Sequence, residues 1–344
     1  IYMNAYYDGT KLLSLLTLSG KKPEIYICNT NRSSGKTTFF NRMCVKKFIN
    51  NKSKFGILYR YNNELNGVSE KFFKEINQLF FKNHKMTEKE RANGTFIELF
   101  LDDVSCGYAF SLNSDTKLKK YSHLLSDCDR YIFDEFQDEN NRYLKNEVNK
   151  FISVHTSIAR GNGKQIRYVP VYMISNPISL LNPYYIDMNI STKLTHNTHF
   201  LRGEGYVLEQ SFNMNSAKLH KNSQFNTAFS NNDYIPYLTE NIYLNDDDSF
   251  IEKINEKSKY LFTLKYNKNF YSIEQLNSSI IYCCNKTDSS FPKKYAVQLS
   301  DISSDYPLLN NVIIIKTLRD YFEKGYFRFS NIDSKQAIMK LLSY

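Results

Sequence analysis

The chain lacks the patterns that mark secreted, zinc-binding and membrane-spanning proteins. Its six cysteines show no C-x-x-C spacing and mostly lie in or beside apolar runs, so we expect reduced, packed thiols. No apolar run approaches the roughly 20 residues that a membrane helix needs, and the first residues show no charged-then-apolar leader. There is also no internal repeat. These absences predict a soluble cytoplasmic protein without a membrane partner.

The length and the net charge of the chain indicate its number of domains and the kind of partner it binds. With 344 residues the chain is longer than a typical single domain, which predicts two or three domains. Lys and Arg number 45 against 35 for Asp and Glu, and the net charge is +10. This surplus favours a polyanionic partner, most simply nucleic acid. A solvated basic face without a partner is the alternative.

One stretch of nine residues carries most of the functional signal. It reads T-N-R-S-S-G-K-T-T at positions 30–38, after the apolar run 25–28 and before the helix-like run 39–45. A strand, a loop of small residues, Gly-Lys-Thr and a helix form the phosphate-binding arrangement of P-loop NTPases, in which backbone N–H groups surround the phosphates. The residues expected to bind ATP are Thr30, Asn31, Arg32, Ser33, Ser34, Gly35, Lys36, Thr37 and Thr38.

Two residues of this loop have distinct expected roles, and a third departs from the pattern. Lys36 can reach the β- and γ-phosphates, and the hydroxyl of Thr37 can bind Mg²⁺. Thr30 stands where the pattern has its first glycine. From this stretch alone, a chance Gly-Lys-Thr in a surface turn is therefore the alternative.

A second motif supports the nucleotide site. Residues 131–135 read Y-I-F-D-E, an apolar strand that ends in two acids, as in a Walker B motif. We expect Asp134 to hold Mg²⁺ and Glu135 to act as the general base that orients water. The alternative is a buried strand that runs into an acidic loop. The two motifs together predict an ATPase.

The order of apolar runs predicts the organisation of the chain. Strand-like and helix-like runs alternate over 1–210, which indicates an α/β domain with a largely parallel sheet. The segment 211–247 is rich in Asn, Ser and Lys and predicts a linker or small subdomain. Over 248–344, three strands, a helix, a strand and a helix are compatible with a ribonuclease-H-like α/β domain.

Short strings that keep their order along the chain resemble viral DNA-packaging ATPases. They are Arg32 at the third loop position, F-D-E-F at 133–136, Y-L-K-N-E-V at 143–148, S-N at 175–176, N-P-Y at 182–184 and G-Y-F-R-F at 325–329. The chain resembles the motor subunits of terminases, and more closely the compact ATPases of small short-tailed Picovirinae-like phages. The resemblance implies a P-loop ATPase of the additional-strand, catalytic-glutamate type, which drives double-stranded viral DNA into a preformed procapsid.

The resemblance also implies roles for individual residues. The family's arginine finger, which acts on a neighbouring subunit's nucleotide, falls on Arg160. A surface arginine at a helix C-terminus is the alternative, and Arg167 is the second candidate for the finger. Ser175 and Asn176 fall on the coupling motif that relays the γ-phosphate state to the DNA grip.

One family position has no direct counterpart in this chain. The basic residue that follows the second strand in the family falls near Asn62. Arg60 is a candidate substitute that would sense phosphate.

The resemblance further implies the partners and the location. They are double-stranded DNA, further copies of the chain in a five-fold ring, the procapsid portal and a packaging RNA, in the host cytoplasm with transient attachment to the portal vertex. The basic residues Lys117, Lys119 and Lys120 are candidates for a DNA-facing loop, because a motor needs a sequence-independent grip on phosphates. A solvated charged turn is the alternative.

The C-terminal domain is predicted to be nuclease-inactive. Two-metal cleavage needs several converging carboxylates, yet 261–266 carries no acid, and Asp301 and Asp305 lie in a loop-like stretch. Two other functions stay open at this point: a helicase or similar nucleic-acid motor, and a non-enzymatic nucleic-acid-binding protein with a vestigial P-loop.

Overall fold

The computed structural model describes residues 6–342 apart from Asn141, Asn162, Lys164, Leu181, Thr192, 195–197, Asp233, 241–249 and 277–279. Contacts divide the chain into two compact units. The first comprises Ile1–Ser179 and Leu194–Asn245, and the second comprises Leu180–Lys193 and Asp246–Tyr344. Among the helices that the structure describes, none combines the length and apolarity that a bilayer crossing requires.

The regular elements alternate along the chain as the apolar runs predict. The strands are β1 (Ile25–Thr30), β2 (Lys54–Tyr59), β3 (Met86–Arg91), β4 (Phe96–Leu101), β5 (Val104–Ser111), β6 (Cys128–Asp134), β7 (Val171–Ser175), β8 (Phe200–Arg202), β9 (Tyr206–Ser211), β10 (Lys259–Tyr266), β11 (Asn269–Gln275), β12 (Ile281–Cys284), β13 (Lys294–Ala296) and β14 (Phe327–Phe329). The helices are α1 (Thr10–Ser14), α2 (Lys36–Asn51), α3 (Val68–Phe80), α4 (Asp115–Leu118), α5 (Ser122–Leu125), α6 (Glu147–Ala159), α7 (Pro183–Asp187), α8 (Met214–Lys221), α9 (Gln224–Ala228), α10 (Tyr234–Thr239), α11 (Val312–Glu323) and α12 (Ile332–Leu342).

The first unit contains a largely parallel sheet. Within the described residues its order is β3-β4-β5-β2-β6-β7-β1-β9-β8. Neighbouring strands from β5 to β9 in this order run parallel, and only the outer pairs that involve β3, β4 and β8 are antiparallel. Strand β7 lies between β1 and β6, so one extra strand separates the two phosphate-site motifs. The predicted additional-strand α/β fold is confirmed.

Helices cover the sheet because one face of each is apolar. In α2 the buried side chains include Phe40, Cys44 and Phe48, at helical spacing. In α3, Phe72 stacks on Phe55 of β2 with ring centroids 5.2 Å apart. All six cysteines are buried free thiols. Burial raises the pKa of the Cys44 thiol, for example, to about 12.

Strands β3, β8, β9 and β11 have no counterpart among the sequence predictions. The example that bears on the site is β9, which pairs in parallel with β1 on the side away from β7. Its second half is polar and includes Glu209 and Gln210, so it lacks an apolar run, but both residues are buried. Tyr7 explains part of this burial, because its hydroxyl donates to Glu209 Oε2 at 2.6 Å.

The segment 211–247 contains three short helices in its described part. Helices α8, α9 and α10 belong to the first unit. Tyr237 and Leu238 of α10 form a small buried cluster with Ile178, which follows β7. The three-part division of the chain stays a prediction, but this segment contacts the loop that follows β1.

The second unit is a mixed α/β structure with its own core. Its described sheet has the order β13-β10-β11-β12-β14. The three central strands are antiparallel, and each outer strand is parallel to its neighbour. Apolar side chains of α11 and α12, such as Leu318 and Ile338, pack on this sheet. The short helix α7 also belongs to this unit, and Asp187 at its end pairs with Lys340.

A glycine in the parallel sheet gives the first prediction. Gly107→Ala should destabilise the first unit by about 1–3 kcal/mol. An added Cβ at Gly107 would lie 2.0 Å from the carbonyl oxygen of Phe55, its partner residue in β2. Thermal unfolding of the variant and the wild type measures the loss.

The matched control is Gly20→Ala. Gly20, unlike Gly107, lies in the left-handed region, with φ +74, but nothing lies within 4 Å of a Cβ added there. Its cost should stay near the penalty of a left-handed backbone for alanine, about 1 kcal/mol. Equal losses for the two variants would contradict the steric argument.

Candidate nucleotide-binding site

The topology of the sheet brings the predicted site residues to one edge. Parallel strands end on the same side, and ligands bind at that side in open α/β sheets. Residue Asn29 of β1 pairs with Ser175 of β7, and Asp134 of β6 pairs with Ile174 of β7. The three loops that follow these strands therefore meet at one place.

The loop between β1 and α2 has the backbone of a phosphate-binding turn. Ser33 and Gly35 adopt left-handed conformations, with φ of +59 and +90, and Gly35 is the residue that precedes the first turn of α2. A side chain at 35 is also excluded sterically, since a Cβ would lie 2.6 Å from the Tyr6 ring. The N-terminus of α2 thus points its free N–H groups at the loop, as anion binding requires.

Thr30, which replaces the first glycine of the P-loop pattern, forms a hydrogen bond across the loop. Its hydroxyl lies 2.5 Å from that of Ser34, and both residues are buried. The Thr30 side chain is directed at Ser34 across the loop. The replacement of the usual glycine is therefore accommodated by a hydrogen bond.

Lys36 carries a positive charge into this loop. The residue is only 7% exposed. The ammonium donates to the carbonyl of Thr30 at 3.2 Å and to Asn176 Oδ1 at 2.7 Å. Burial lowers the pKa of Lys36, and the Asp134 carboxylate opposes that shift. A cation held this way is ready to exchange these neutral oxygens for phosphate oxygens.

Thr37 and Asp134 are joined directly. The Thr37 hydroxyl donates to Asp134 Oδ2 at 2.9 Å. Desolvation raises the pKa of Asp134, while the Lys36 ammonium and this hydrogen bond lower it. One hydroxyl and one carboxylate are the oxygen donors that Mg²⁺ takes from protein when phosphates and waters supply the rest. The pair therefore fits a magnesium ion bound with a nucleotide.

Glu135 sits in a strained turn directly after β6. Its φ is +54, a conformation that costs a residue with a side chain roughly 1 kcal/mol or more. Its side chain is exposed, and its N–H donates to Asp134 Oδ1 at 3.0 Å. Partial desolvation and the carboxylates of Asp134 and Glu64 raise the pKa of Glu135. These neighbours move it toward the range where a carboxylate is an effective base.

Arg60 does not take the phosphate-sensing place suggested by the sequence. It is buried, and its Nε lies 3.0 Å from both carboxylate oxygens of Glu147. Its other nitrogens donate to the carbonyls of Glu135 and Phe136, at 3.2 and 2.7 Å. The guanidinium therefore faces the backbone of the turn that carries Glu135.

The two candidates for the arginine finger differ in their surroundings. Arg160 follows the last residue of α6 and is exposed. Arg167 instead donates to the carbonyls of Ser126, Cys128 and Ile158 and lies 3.6 Å from Asp129. Arg167 thus binds its own subunit, whereas the role of Arg160 stays a prediction.

The predicted coupling residues link the end of β7 to both motifs. Asn176 accepts from Lys36, as described above. Ser175 is buried and accepts a hydrogen bond from Gln137 Nε2 at 3.0 Å. Gln137 in turn accepts from the N–H of Ser179 at 3.0 Å. This polar chain connects the loop after β7 with the turn after β6.

Residues 213–239, here termed the P-loop-contacting segment, supply site contacts that the sequence analysis missed. Asn213 and Asn31 form a reciprocal amide–backbone pair, at 2.7 and 3.2 Å. Ser216 donates to the carbonyl of Arg32 at 2.6 Å. The Arg32 guanidinium donates to the Tyr234 hydroxyl at 2.5 Å. Asn213 contacts the loop through its backbone and Ser216 through its side chain, and single polar contacts of this kind give no periodic signal in the sequence.

The three lysines proposed to face DNA do not lie in a loop. Lys117 is in α4, and Lys119 and Lys120 form the next helical turn. Leu118 between them is fully buried, so it fixes the turn while all three lysines stay exposed. The expected loop is therefore corrected to a short helical segment, and DNA contact stays a prediction.

Asp301 and Asp305, the two acids of the second unit considered for a nuclease site, differ in burial. Asp301 is buried and accepts from the N–H groups of Asn267 and Lys268, at 2.9 and 3.2 Å. It therefore holds the turn between β10 and β11. Asp305 is exposed. Within the described residues, no three His, Cys, Asp or Glu side chains come together as a metal site.

The fold and the site together define the P-loop ATPase class with an additional strand between its two motifs. A family model described as podovirus DNA encapsidation protein (Gp16) matches residues 4–343, and the chain belongs to this family. The DNA packaging protein of Bacillus phage phi29 is 24% identical over 306 residues, 87% of each chain.

Two solved structures share the fold over nearly the whole chain. One is the bacteriophage Phi-29 viral genome packaging motor assembly, with TM-score 0.61, 22% identity and coverage of 98% of this chain and 99% of that one. The other is the Phi-28 gp11 DNA packaging motor, with TM-score 0.67, 17% identity and coverage of 99% and 98%. The predicted family is confirmed, and it favours genome packaging over the helicase and the non-enzymatic alternative.

The acidic surroundings of Glu135 give a prediction about stability. Glu135→Gln should raise the thermal stability of the nucleotide-free protein near neutral pH, by on the order of 0.5 kcal/mol because the group is exposed. A carboxyl whose pKa is raised on folding opposes folding while it is ionised. The advantage of the variant should therefore shrink as the pH falls toward about 4, where glutamate becomes protonated.

Glu90→Gln is the matched control. Glu90 is an exposed glutamate on β3 of the same unit, and its replacement should bring no such gain. A Glu135→Gln variant that is less stable at neutral pH, or whose advantage grows on acidification, would refute the prediction.

Proposed function

We propose that this chain hydrolyses ATP and uses the energy to drive double-stranded viral DNA into a preformed procapsid. The observation that carries the proposal is the meeting of Lys36, Thr37, Asp134 and Glu135 at one edge of the parallel sheet, with β7 between their two strands. Phosphoryl transfer to water requires such a set, because the enzyme must neutralise phosphate charge and orient a nucleophile.

In this proposal the loop of residues 30–38 binds the phosphates of ATP. The N–H groups at the start of α2 and the Lys36 ammonium face the phosphate oxygens, and Thr37 and Asp134 hold Mg²⁺. The metal supplies neutralisation of the charge on the transferring phosphate. The hydrogen bonds of Lys36 to the Thr30 carbonyl and Asn176 support this assignment, since they aim the ammonium into the loop.

Glu135 acts as the general base. It accepts the proton of the attacking water while Asp134 remains committed to the metal. Its exposure beside the loop and its raised pKa support this division between adjacent acids. Two carboxylates in different surroundings can take different roles in this way.

Arg160 is proposed to act on the nucleotide of a neighbouring copy in a ring. A guanidinium stabilises charge that develops on the γ-phosphate. Its exposure at the end of α6 supports a role outside its own subunit. Ser175 and Asn176 would report the γ-phosphate state, because Asn176 contacts Lys36 and Ser175 contacts Gln137 in the turn after β6.

The proposed partners follow from the family and the charge of the chain. The net charge of +10 suits duplex DNA. One of the similar structures is a viral genome packaging motor assembly. We propose by analogy a five-fold ring at the procapsid portal, with a packaging RNA as a further partner, in the host cytoplasm.

The catalytic assignment can be tested by mixing variants. Arg160→Ala and Glu135→Gln should each bind ATP but hydrolyse it at least about 10²-fold more slowly in the assembled ring. Mixed rings should regain hydrolysis, because some interfaces then join an intact Glu135 to an intact Arg160. Phosphate release is measured against the mixing ratio, with assembly confirmed by sedimentation.

Arg167→Ala mixed with Glu135→Gln is the comparison for the finger. Arg167 binds backbone carbonyls of its own subunit. Rings that mix these two variants should therefore hydrolyse ATP no faster than the two variants do separately, weighted by their proportions. Wild-type turnover by Glu135→Gln alone would refute the proposed base. Absence of rescue at every ratio would refute the trans role of Arg160.

The DNA grip gives a separate prediction. Changing Lys117, Lys119 and Lys120 to Ala should weaken binding to all duplex sequences alike. Each lost phosphate contact should reduce the slope of log K against log salt by roughly 0.9. Basal ATPase should persist because these residues lie outside the phosphate loop, whereas DNA-stimulated ATPase should fall.

A second triple variant controls for net charge. Lys82, Lys85 and Lys89 are also exposed in the first unit, and changing them to Ala removes the same charge. If both triples shift the salt slope equally, the effect is one of overall charge. An unchanged slope in the first triple would exclude it from the DNA-contacting surface.

A further inference from the structure

The turn after β6 combines strain with an unusual support. Glu135 is held in the left-handed region, and a backbone of this kind persists only where its surroundings over-determine it. The backbone carbonyls of two consecutive residues, Glu135 and Phe136, accept hydrogen bonds from one guanidinium. That guanidinium belongs to Arg60, the residue directly after β2.

Arg60 is itself fixed from several directions. The carboxylate of Glu147, at the first position of α6, accepts a hydrogen bond from the Arg60 Nε at 3.0 Å. It also accepts one from the N–H of Leu144 at 2.7 Å. The guanidinium carbon lies 5.7 Å from the ring centre of Phe133 and 5.2 Å from that of Tyr143. We name the group formed by Arg60, Glu147 and the two carbonyls the Arg60 clamp.

Stability alone does not account for this arrangement. The side chains of Arg60 and Glu147 are 6% and 1% exposed, and a buried ion pair is commonly no more stabilising than apolar residues of similar volume. A planar guanidinium does provide what an apolar residue cannot, which is several donors in fixed directions. Here those donors bond to two consecutive carbonyls, the first of which belongs to Glu135 itself.

We propose that Arg60 is a positioning residue for hydrolysis, which acts through the backbone of Glu135 and Phe136, with Glu147 as its orienting partner. The inference rests on the proposed role of Glu135 as the base. It differs from phosphate sensing, because the guanidinium contacts backbone carbonyls of the chain. Without the Arg60 clamp the left-handed turn relaxes, and the carboxylate loses its place beside the phosphates while the loop of residues 30–38 is unchanged.

The test separates binding from hydrolysis in the assembled full-length chain. Arg60→Lys keeps the charge but loses the planar set of donors, and should slow single-turnover hydrolysis about 10²-fold, the scale of a small misplacement of a reacting group. Its Kd for a non-hydrolysable ATP analogue should stay near the wild-type value. In a Glu135→Gln background, Arg60→Lys should cause no further loss, because groups that act as a unit are not additive.

A second variant keeps the test valid if the lysine is poorly accommodated. The double change Arg60→Met and Glu147→Met replaces the ion pair by apolar side chains, an exchange that folded proteins often tolerate. It should show the same selective loss of rate. Arg130→Lys is the matched control, because Arg130 is a buried arginine at the other end of β6 whose Nη2 donates to Ser53. It should hydrolyse ATP at the full rate.

Three outcomes overturn the proposal. They are wild-type hydrolysis by both Arg60 variants, an equal loss in the Glu135→Gln background, and a parallel loss of affinity and rate that Arg130→Lys shares. Each of these outcomes counts against the proposal only when the Glu135→Gln variant, measured in parallel, is inactive. If Glu135→Gln is itself fully active, the proposed base fails first, and this result is distinguishable from failure of the Arg60 clamp.

Discussion

Lys36 places a positive charge in the interior of the first unit, and the polar groups around it are organised by that charge. A buried ammonium is costly unless oxygens surround it, and here they come from Thr30, Asn31 and Asn176. Asp134 adds the opposing charge. These groups lie at the ends of three neighbouring strands, β6, β7 and β1, or directly after them, so the order β6-β7-β1 is a condition for the site.

The carboxylate side of the site depends on a different constraint. Asp134 ends β6 in regular strand geometry, whereas Glu135 needs a left-handed turn to reach its place. The Arg60 clamp holds that turn from the side of β2 and α6. Helix α6 begins at Glu147 and is followed directly by Arg160. One rigid helix therefore runs from the support of the proposed base to the residue proposed to serve a neighbouring copy.

The P-loop-contacting segment adds a third set of bonds. Asn213, Ser216 and Tyr234 bond to the loop that is proposed to bind the phosphates. Tyr234 and Arg32 also meet Glu139, four residues beyond Glu135. These polar contacts join the segment both to the loop and to the stretch that follows the turn after β6.

The sequence by itself predicts the chemistry proposed for the site. A Gly-Lys-Thr before a helix and two acids after an apolar strand point to Lys36, Thr37, Asp134 and Glu135, because these residue types are tied to short spacings. Alternating apolar runs likewise predict the parallel sheet. The tertiary structure alone decided which polar residues support the site. Arg60 and Glu147 lie 87 positions apart, Asn31 and Asn213 lie 182 apart, and β9 is buried although its second half is polar. Such pairings depend on the path of the chain through space, and a polar residue shows no periodicity that reveals its distant partner.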